Sequence, residues 1–181
     1  MEMEVRILDV NVDEIRNKLL ENSAVLVKKE NQINKLFDFE NASLLKQKGY
    51  ARIRIVQDMV EQKNFYYMTT KRNVSKNDER FKVMDECEIE INDSSIGEKI
   101  FKSLGLILNH EIKRYRESYK ICNVLVEIDI NDKNFYPNPY VEIEGDSKEN
   151  IENVVKILGY TMEDTTSKNI FDIIKDKNEM R

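Results

Sequence analysis

The sequence predicts an α+β protein built on eight antiparallel strands, with helices packed on the apolar side of the sheet. Stretches near residues 1–8, 33–40, 50–57, 64–71, 84–92, 110–119, 121–130 and 139–145 mostly alternate polar and apolar residues at the two-residue period of a strand. Four longer stretches carry apolar residues at helical spacing instead. Only two prolines and five glycines punctuate the 181 residues, so regular structure dominates, and no composition shift divides the chain. One domain over 1–181 is expected.

Each element has its own local reason. "MEMEVRI" sets Glu2, Glu4 and Arg6 on one face of the first strand and Met3, Val5 and Ile7 on the other. A helix over about Val12–Asn22 follows, with Asn11 and Glu14 spaced as a capping pair and Ile15, Leu19 and Leu20 on one stripe. "RIRI" sets Arg52 and Arg54 opposite Ile53 and Ile55, and Lys71 shares the phase of Thr69. "ECEIEI" sets Glu86, Glu88 and Glu90 opposite Cys87, Ile89 and Ile91. A second helix begins after Asp93 and stops at Gly105. "KRYRES" then aligns Arg114 with Arg116, and "VEIDI" aligns Glu127 with Asp129. Pro137 and Pro139 make "NFYPNPY" a rigid lead-in to the last strand, where Glu142 and Glu144 share a face. A third helix begins after Asp146 and ends at Gly159; a fourth covers about Ser167–Lys177 with Ile170, Phe171, Ile173 and Ile174. That fourth helix is expected to close one end of the sheet or to swap into a second subunit.

Composition excludes several classes. A net charge of −5 disfavours binding to a nucleic acid polymer. No apolar run approaches the roughly 18 residues of a membrane span, and the first residues lack a signal-peptide core, so a cytoplasmic protein off the membrane is expected. Cys87 and Cys122 have no zinc-ligand spacing and read as reduced, packed side chains. The single histidine, His110, gives little support to a Ser-His or Cys-His nucleophile and reads as a surface or strand-edge residue.

Forty percent hydrophobic residues suit a core of this size, but 35 percent charged residues exceed what such a core requires. Those charges are segregated by sign: acidic within some strands, arginine within others. Two architectures accommodate them. In one, an open sheet turns its charged face to water. In the other, the eight strands close into an inverted barrel with the charges inside, where they need partners. Clustered carboxylates suit a hard cation such as Mg2+ or Mn2+, and clustered guanidiniums suit an anion with several oxygens. Both together suggest a polyphosphate.

In this order along the chain, "EMEVR", "ARIRI", "TTK", "ECEIEI", "KRYRESY", "VEIDI" and "YVEIEG" resemble the motifs of the CYTH domain, the triphosphate tunnel metalloenzymes, a family that includes class IV adenylate cyclases and thiamine triphosphatases. The length and "NQINKLFDFE" resemble the bacterial adenylate cyclase-like branch. The resemblance implies an eight-stranded tunnel that binds a triphosphate with Mg2+ or Mn2+. Position by position, it makes Glu2, Glu4, Glu88, Glu90, Asp129, Glu142 and Glu144 metal-side carboxylates. It makes Arg6, Arg52, Arg54, Lys71, Arg114 and Arg116 phosphate ligands. Glu86 and Glu127 share their phase. Arg6 and Arg114 stand where the family has lysine, which removes the ammonium available for proton transfer at the first of these positions.

Three functions follow from that resemblance: metal-dependent hydrolysis of a triphosphate such as tripolyphosphate, ATP or thiamine triphosphate; cyclisation of ATP to cyclic AMP and pyrophosphate; or polyphosphate binding without turnover. No residue is assigned as the general base. A homodimer is a further implication of the family. Phe135, Tyr136 and Tyr140 are expected to pack their loop down, with contact to a base or thiazole as the second use of those rings.

Overall fold

A computed structural model describes residues 2–74 and 82–179, with the backbone alone at Glu2, at 82–84 and at 177–179. In chain order the elements are β1 (Glu2–Leu8), α1 (Val12–Glu21), β2 (Val25–Phe39), α2 (Ser43–Lys46), β3 (Tyr50–Asp58), β4 (Lys63–Asn73), β5 (Lys82–Ile91), α3 (Ser94–Ser103), β6 (Leu106–Ile121), β7 (Val124–Asn131), β8 (Tyr140–Gly145), α4 (Lys148–Ile157), β9 (Thr165–Thr166) and α5 (Ile170–Glu179).

The strands form one antiparallel sheet in the order β5-β4-β3-β2-β6-β7-β8-β1-β9. The first and eighth strands of that order also pair with each other, through Glu2↔Met84, Met3↔Val83 and Glu4↔Lys82. The expected eight strands become nine, because Thr165 and Thr166 add a short strand beside Ile7 and Arg6 of β1. Two residues carry no visible alternation, so β9 depends on its partner for existence.

Two strands are longer than their sequence pattern. Residues 25–31 read "VLVKKEN", which has no two-residue period, yet they pair with 115–120 of β6 and extend β2 back to Val25. At the other end of that ladder, β6 begins at Leu106 because Phe39, Asp38 and Phe37 reach back to Leu106, Ile107 and Leu108.

The apolar faces behave as their period requires. Val5, Ile7, Val126, Ile128, Val141 and Ile143 pack under Ile15 and Leu19 of α1, under Ile151, Val154 and Val155 of α4 and under Leu158 just after it. Full burial stabilises each such side chain by roughly 1.5–3 kcal/mol. Leu20 departs from its expected stripe and is exposed. A second cluster joins Phe37, Ala51, Ile53 and Leu106 to Phe101 of α3. Asn11 and Asp93 cap α1 and α3 by accepting first-turn N–H bonds, and Ser147 does so for α4. Gly105 and Gly159 follow α3 and α4 at φ +90 and +81, a region that L side chains avoid.

Tyr136 and Tyr140 are buried against Ile173 of α5, so the proline loop is packed down by its rings and seats the last helix. Cys87 and Cys122 are free thiols, but both are exposed and not packed as expected. No helix among the described residues is long and apolar enough to cross a membrane.

Candidate functional site

The polar faces of the strands surround a cavity of about 530 Å3. The strand register decides which charges meet there. On β1 and β8, Arg6 lies opposite Glu142 and Glu4 opposite Glu144. Arg6 donates from Nε to Glu142 Oε1 at 2.7 Å, from Nη2 to Glu4 Oε1 at 3.1 Å and from Nη1 to the Lys168 carbonyl at 2.9 Å.

Arg116 of β6 is bonded more densely. Its Nε and Nη2 take the two oxygens of Asp129 at 2.6 Å each, Nη2 also reaches Glu142 Oε2 at 2.8 Å, and Nη1 bonds Glu127. Arg114 donates to Asp129 Oδ2 at 2.8 Å and to Gln32 Oε1 at 2.8 and 3.1 Å. Burial alone would raise the pKa of Glu142, but Arg6, Arg116 and Arg114 outweigh it and hold the carboxyl well below the usual carboxylate range.

The wall formed by β3, β4 and β5 is bonded more loosely. Arg52 reaches Thr69 Oγ1 at 3.3 Å, Glu88 at 3.2 Å and Glu86 at 3.4 Å, and its Nε has no partner among the described residues. Lys71 pairs with Glu86 at 2.7 Å and lies 3.9 Å from Glu4. Arg54 makes no ion pair or hydrogen bond through its guanidinium among the described residues, and its buried Nε is without a partner. Burial, then Arg52, Arg114 and Arg116, push its pKa down to about 10. It is still a cation at neutral pH, held among other cations with Glu88 as an opposing charge. Tyr50 lines the same wall beside Arg52; burial would raise its phenol, but Arg52, Lys71 and Arg54 bring it below the ordinary value.

Of the residues the sequence marks, Glu4, Arg6, Arg52, Arg54, Lys71, Glu86, Glu88, Arg114, Arg116, Glu127, Glu142 and Glu144 line this one cavity. Asp129 is fully buried behind Arg114 and Arg116. Glu90 lies opposite Tyr67, is exposed and is outside the lining. The Glu2 side chain lies outside the described residues.

Sequence reasoning missed the uncharged polar residues at the site. Asn34 and Asn131 are buried and line the cavity, and buried Gln32 and Thr69 accept from Arg114 and Arg52. Gln32 and Asn34 alternate with Ile33 and Lys35, a signal that is readable but weaker than charge.

The donors available to a divalent cation are carboxylate oxygens, which suit Mg2+ or Mn2+ better than a soft metal. Among the described residues no three His, Cys, Asp or Glu side chains are grouped as a preformed metal site. The register sets Glu4 directly opposite Glu144, a like-charged pair that needs a cation nearby, and Arg6 at 3.1 Å and Lys71 at 3.9 Å from Glu4 are such cations. The neighbouring like-charged pair, Glu127 and Glu142, has Arg116 as that cation. As carboxylate donors, Glu4, Glu142 and Glu144 are of the type that a hard cation takes.

Fold and lining together define a class: an α+β protein that carries guanidiniums and carboxylates on one face of an antiparallel sheet, around a shared cavity. Within that class the chain belongs to the CYTH-domain family, which matches residues 1–169.

Its fold is similar to that of a Pyrococcus horikoshii OT3 protein, at 25% identity and a TM-score of 0.78 over 95% of this chain and 98% of that one. It is also similar to a conserved Pyrococcus furiosus protein, at 25% identity and a TM-score of 0.75 over 93% and 97% of the two chains. An adenylyl cyclase candidate from Hippeastrum, described as having a dominant triphosphatase activity, shares the fold at 18% identity and a TM-score of 0.70, over 98% of this chain and 96% of that one. No curated protein is a significant match.

Proposed function

We propose that the sheet closes into a tunnel through the β1–β5 ladder, and that the chain is a divalent-metal-dependent phosphohydrolase acting on a triphosphate inside it. The observation that carries this reading is Arg54. A guanidinium without an ion pair among the described residues, faced by Arg52, Arg114 and Arg116, lowers its energy by gaining an anion, and neighbouring cations in one cavity suit an anion with several charged oxygens.

Arg54, Arg52 and Lys71 hold non-bridging phosphate oxygens. Arg114 and Arg116, oriented from behind by Asp129, keep the phosphate chain in line, which is most of what phosphoryl transfer asks of a protein. Glu88 orients Arg52 through the pair it makes with Thr69. Glu4, Glu142 and Glu144 would hold Mg2+ or Mn2+. When bound, the cation supplies charge neutralisation at the phosphate oxygens and a more acidic water.

The test is a product assay. Tripolyphosphate and ATP are incubated with the protein and either Mg2+ or Mn2+, and the products are separated by anion exchange. Orthophosphate is expected. Cyclic AMP and pyrophosphate without orthophosphate would replace hydrolysis by cyclisation. Tight binding without product at any metal concentration would leave a binding module.

A further inference from the structure

Across β3, β4 and β5 the ladder register arranges the cavity face in three rungs: Tyr50–Lys71–Glu86, Arg52–Thr69–Glu88 and Arg54–Tyr67–Glu90. One phenol stands in the first rung and another in the third. Tyr67 has acids about it: burial raises its phenol, and Glu90, Glu30 and Glu88 raise it further against Arg54. Tyr50 has the opposite surroundings. The Arg52 guanidinium lies 5.5 Å from its ring centroid, Lys71 is its direct neighbour on β4, and Arg54 follows on its own strand. Glu86 of β5 is the opposing acid, and it is bonded to Lys71 at 2.7 Å. Asp38 of β2 and Lys48 also line the cavity, and the Asp38 carboxylate is taken up by the N–H groups of Phe39, Leu44 and Leu45.

Hydrolysis needs a group that accepts a proton from the attacking water, and the lining has few. Arginines keep their protons, so Arg6 cannot serve as a lysine would. Against burial, Arg6, Arg116 and Arg114 lower Glu142, and Thr69, Arg54 and Arg52 lower Glu88, which makes both weak bases. Burial would lower the Lys71 ammonium, but Tyr50, Glu4 and Glu86 raise it, so it stays protonated. Tyr50 shifts the other way. Three cations offset its burial and bring its phenol toward neutral pH, and it lines the cavity that those cations share.

We propose that Tyr50 is the catalytic base of the triphosphate hydrolysis proposed above, the reading on which this assignment rests. The water oxygen bonds to the terminal phosphorus, and the bond from that phosphorus to its bridging oxygen breaks with the electron pair leaving on pyrophosphate. One water proton passes to the Tyr50 phenolate and the other stays on orthophosphate. The phenol then returns its proton to solvent. Arg52, Arg54 and Lys71 act twice, since they hold phosphate oxygens and favour the ionised phenol. A bound polyanion offsets those same cations, which makes the phenolate a stronger base once the substrate is in place.

The pH profile of tripolyphosphate hydrolysis with Mg2+ tests the assignment. kcat is expected to rise from neutral into alkaline pH along a limb that Tyr50→Phe abolishes, with about a hundredfold or greater loss at its top. KM is expected to change little, as for a group that acts in the transition state alone. Tyr67→Phe, which removes the other phenol of this face, is expected to retain the limb. In a metal-free titration followed by phenolate absorbance, the parent is expected to show one tyrosine ionising before the rest. That early step should be absent from Tyr50→Phe and move to higher pH with tripolyphosphate. Thermal unfolding of each variant confirms that it folds. If Tyr50→Phe keeps the limb or the early step, or if the limb is lost instead in His110→Ala, which alters the imidazole of the same lining, Tyr50 is overturned while the hydrolysis reading stands. If the parent releases no orthophosphate, both fall.

Discussion

The two walls of the cavity contain the same kinds of charge and use them differently. On β6, β7, β8 and β1, each arginine is held by carboxylates: Arg116 by Asp129, Glu127 and Glu142, Arg114 by Asp129, Arg6 by Glu142 and Glu4. Carboxylates outnumber guanidiniums there. On β3, β4 and β5 the balance reverses, with Arg52, Arg54 and Lys71 facing Glu86 and Glu88, and Arg54 left without an ion pair among the described residues. A cavity with an acid-rich wall and a base-rich wall is suited to a cation and a polyanion at once. The difference separates the arginines bound up in carboxylate pairs from Arg54, which makes no ion pair among the described residues.

Arg116→Ala is the strongest way to break that comparison. It leaves Asp129, Glu127 and Glu142 buried without their shared cation, a loss of about 3–5 kcal/mol by analogy with other broken buried pairs. Urea unfolding at neutral pH measures it, and an unchanged midpoint would remove the distinction between the walls. Arg54→Ala sharpens it from the other side. Triphosphate affinity is expected to fall about tenfold to a hundredfold, the range of a lost hydrogen bond to a charged group. The urea midpoint is expected to stay or rise, because no ion pair among the described residues is lost.

Next in size is the pH response of the acid-rich wall. Glu142 has a folded pKa below its unfolded value of about 4.3, so its stabilisation is fully present above that pH and is lost as pH falls through the folded value. Stability should therefore fall below about pH 4.3. The fall should be shallower in Glu142→Gln than in the parent chain; equal slopes would assign acid lability to Glu88 and Glu117, whose pKa values are also lowered. The smallest expected effect is that of Arg6→Lys. It keeps the charge but cannot reach Glu142, Glu4 and the Lys168 carbonyl together, and about 1 kcal/mol is lost. Faster amide exchange over 169–174, with β1 unchanged, is the signature.

The period of the charged residues makes most of this arrangement legible in the sequence. Alternation in "MEMEVRI", "RIRI" and "VEIDI" sorts each strand into a cavity face and a packed face, and the cavity does hold Glu4, Arg6, Arg52, Arg54, Glu127 and Glu142. What the sequence could not show is set by cross-strand register. Nothing local says that Arg116 pairs with three carboxylates while Arg54 makes no ion pair among the described residues, since both belong to an R-x-R pair. Residues 25–31 and 165–166 are strands only because a neighbour supplies the ladder. Asn34 and Asn131 escape notice because an amide has no charge to mark its face.

The guanidinium of Arg6 has all three nitrogens engaged, two toward acids of β1 and β8 and one toward the backbone at residue 168, two positions before α5 begins. It is a junction as well as a charge. Whatever alters the interior electrostatics at Arg6 also alters how firmly the segment carrying Phe171 is anchored. Thermodynamic reciprocity then requires the converse: the anchoring of that segment and the affinity of any ligand that bonds Arg6 change each other by the same factor. Arg6→Lys would carry the charge and cut the wire.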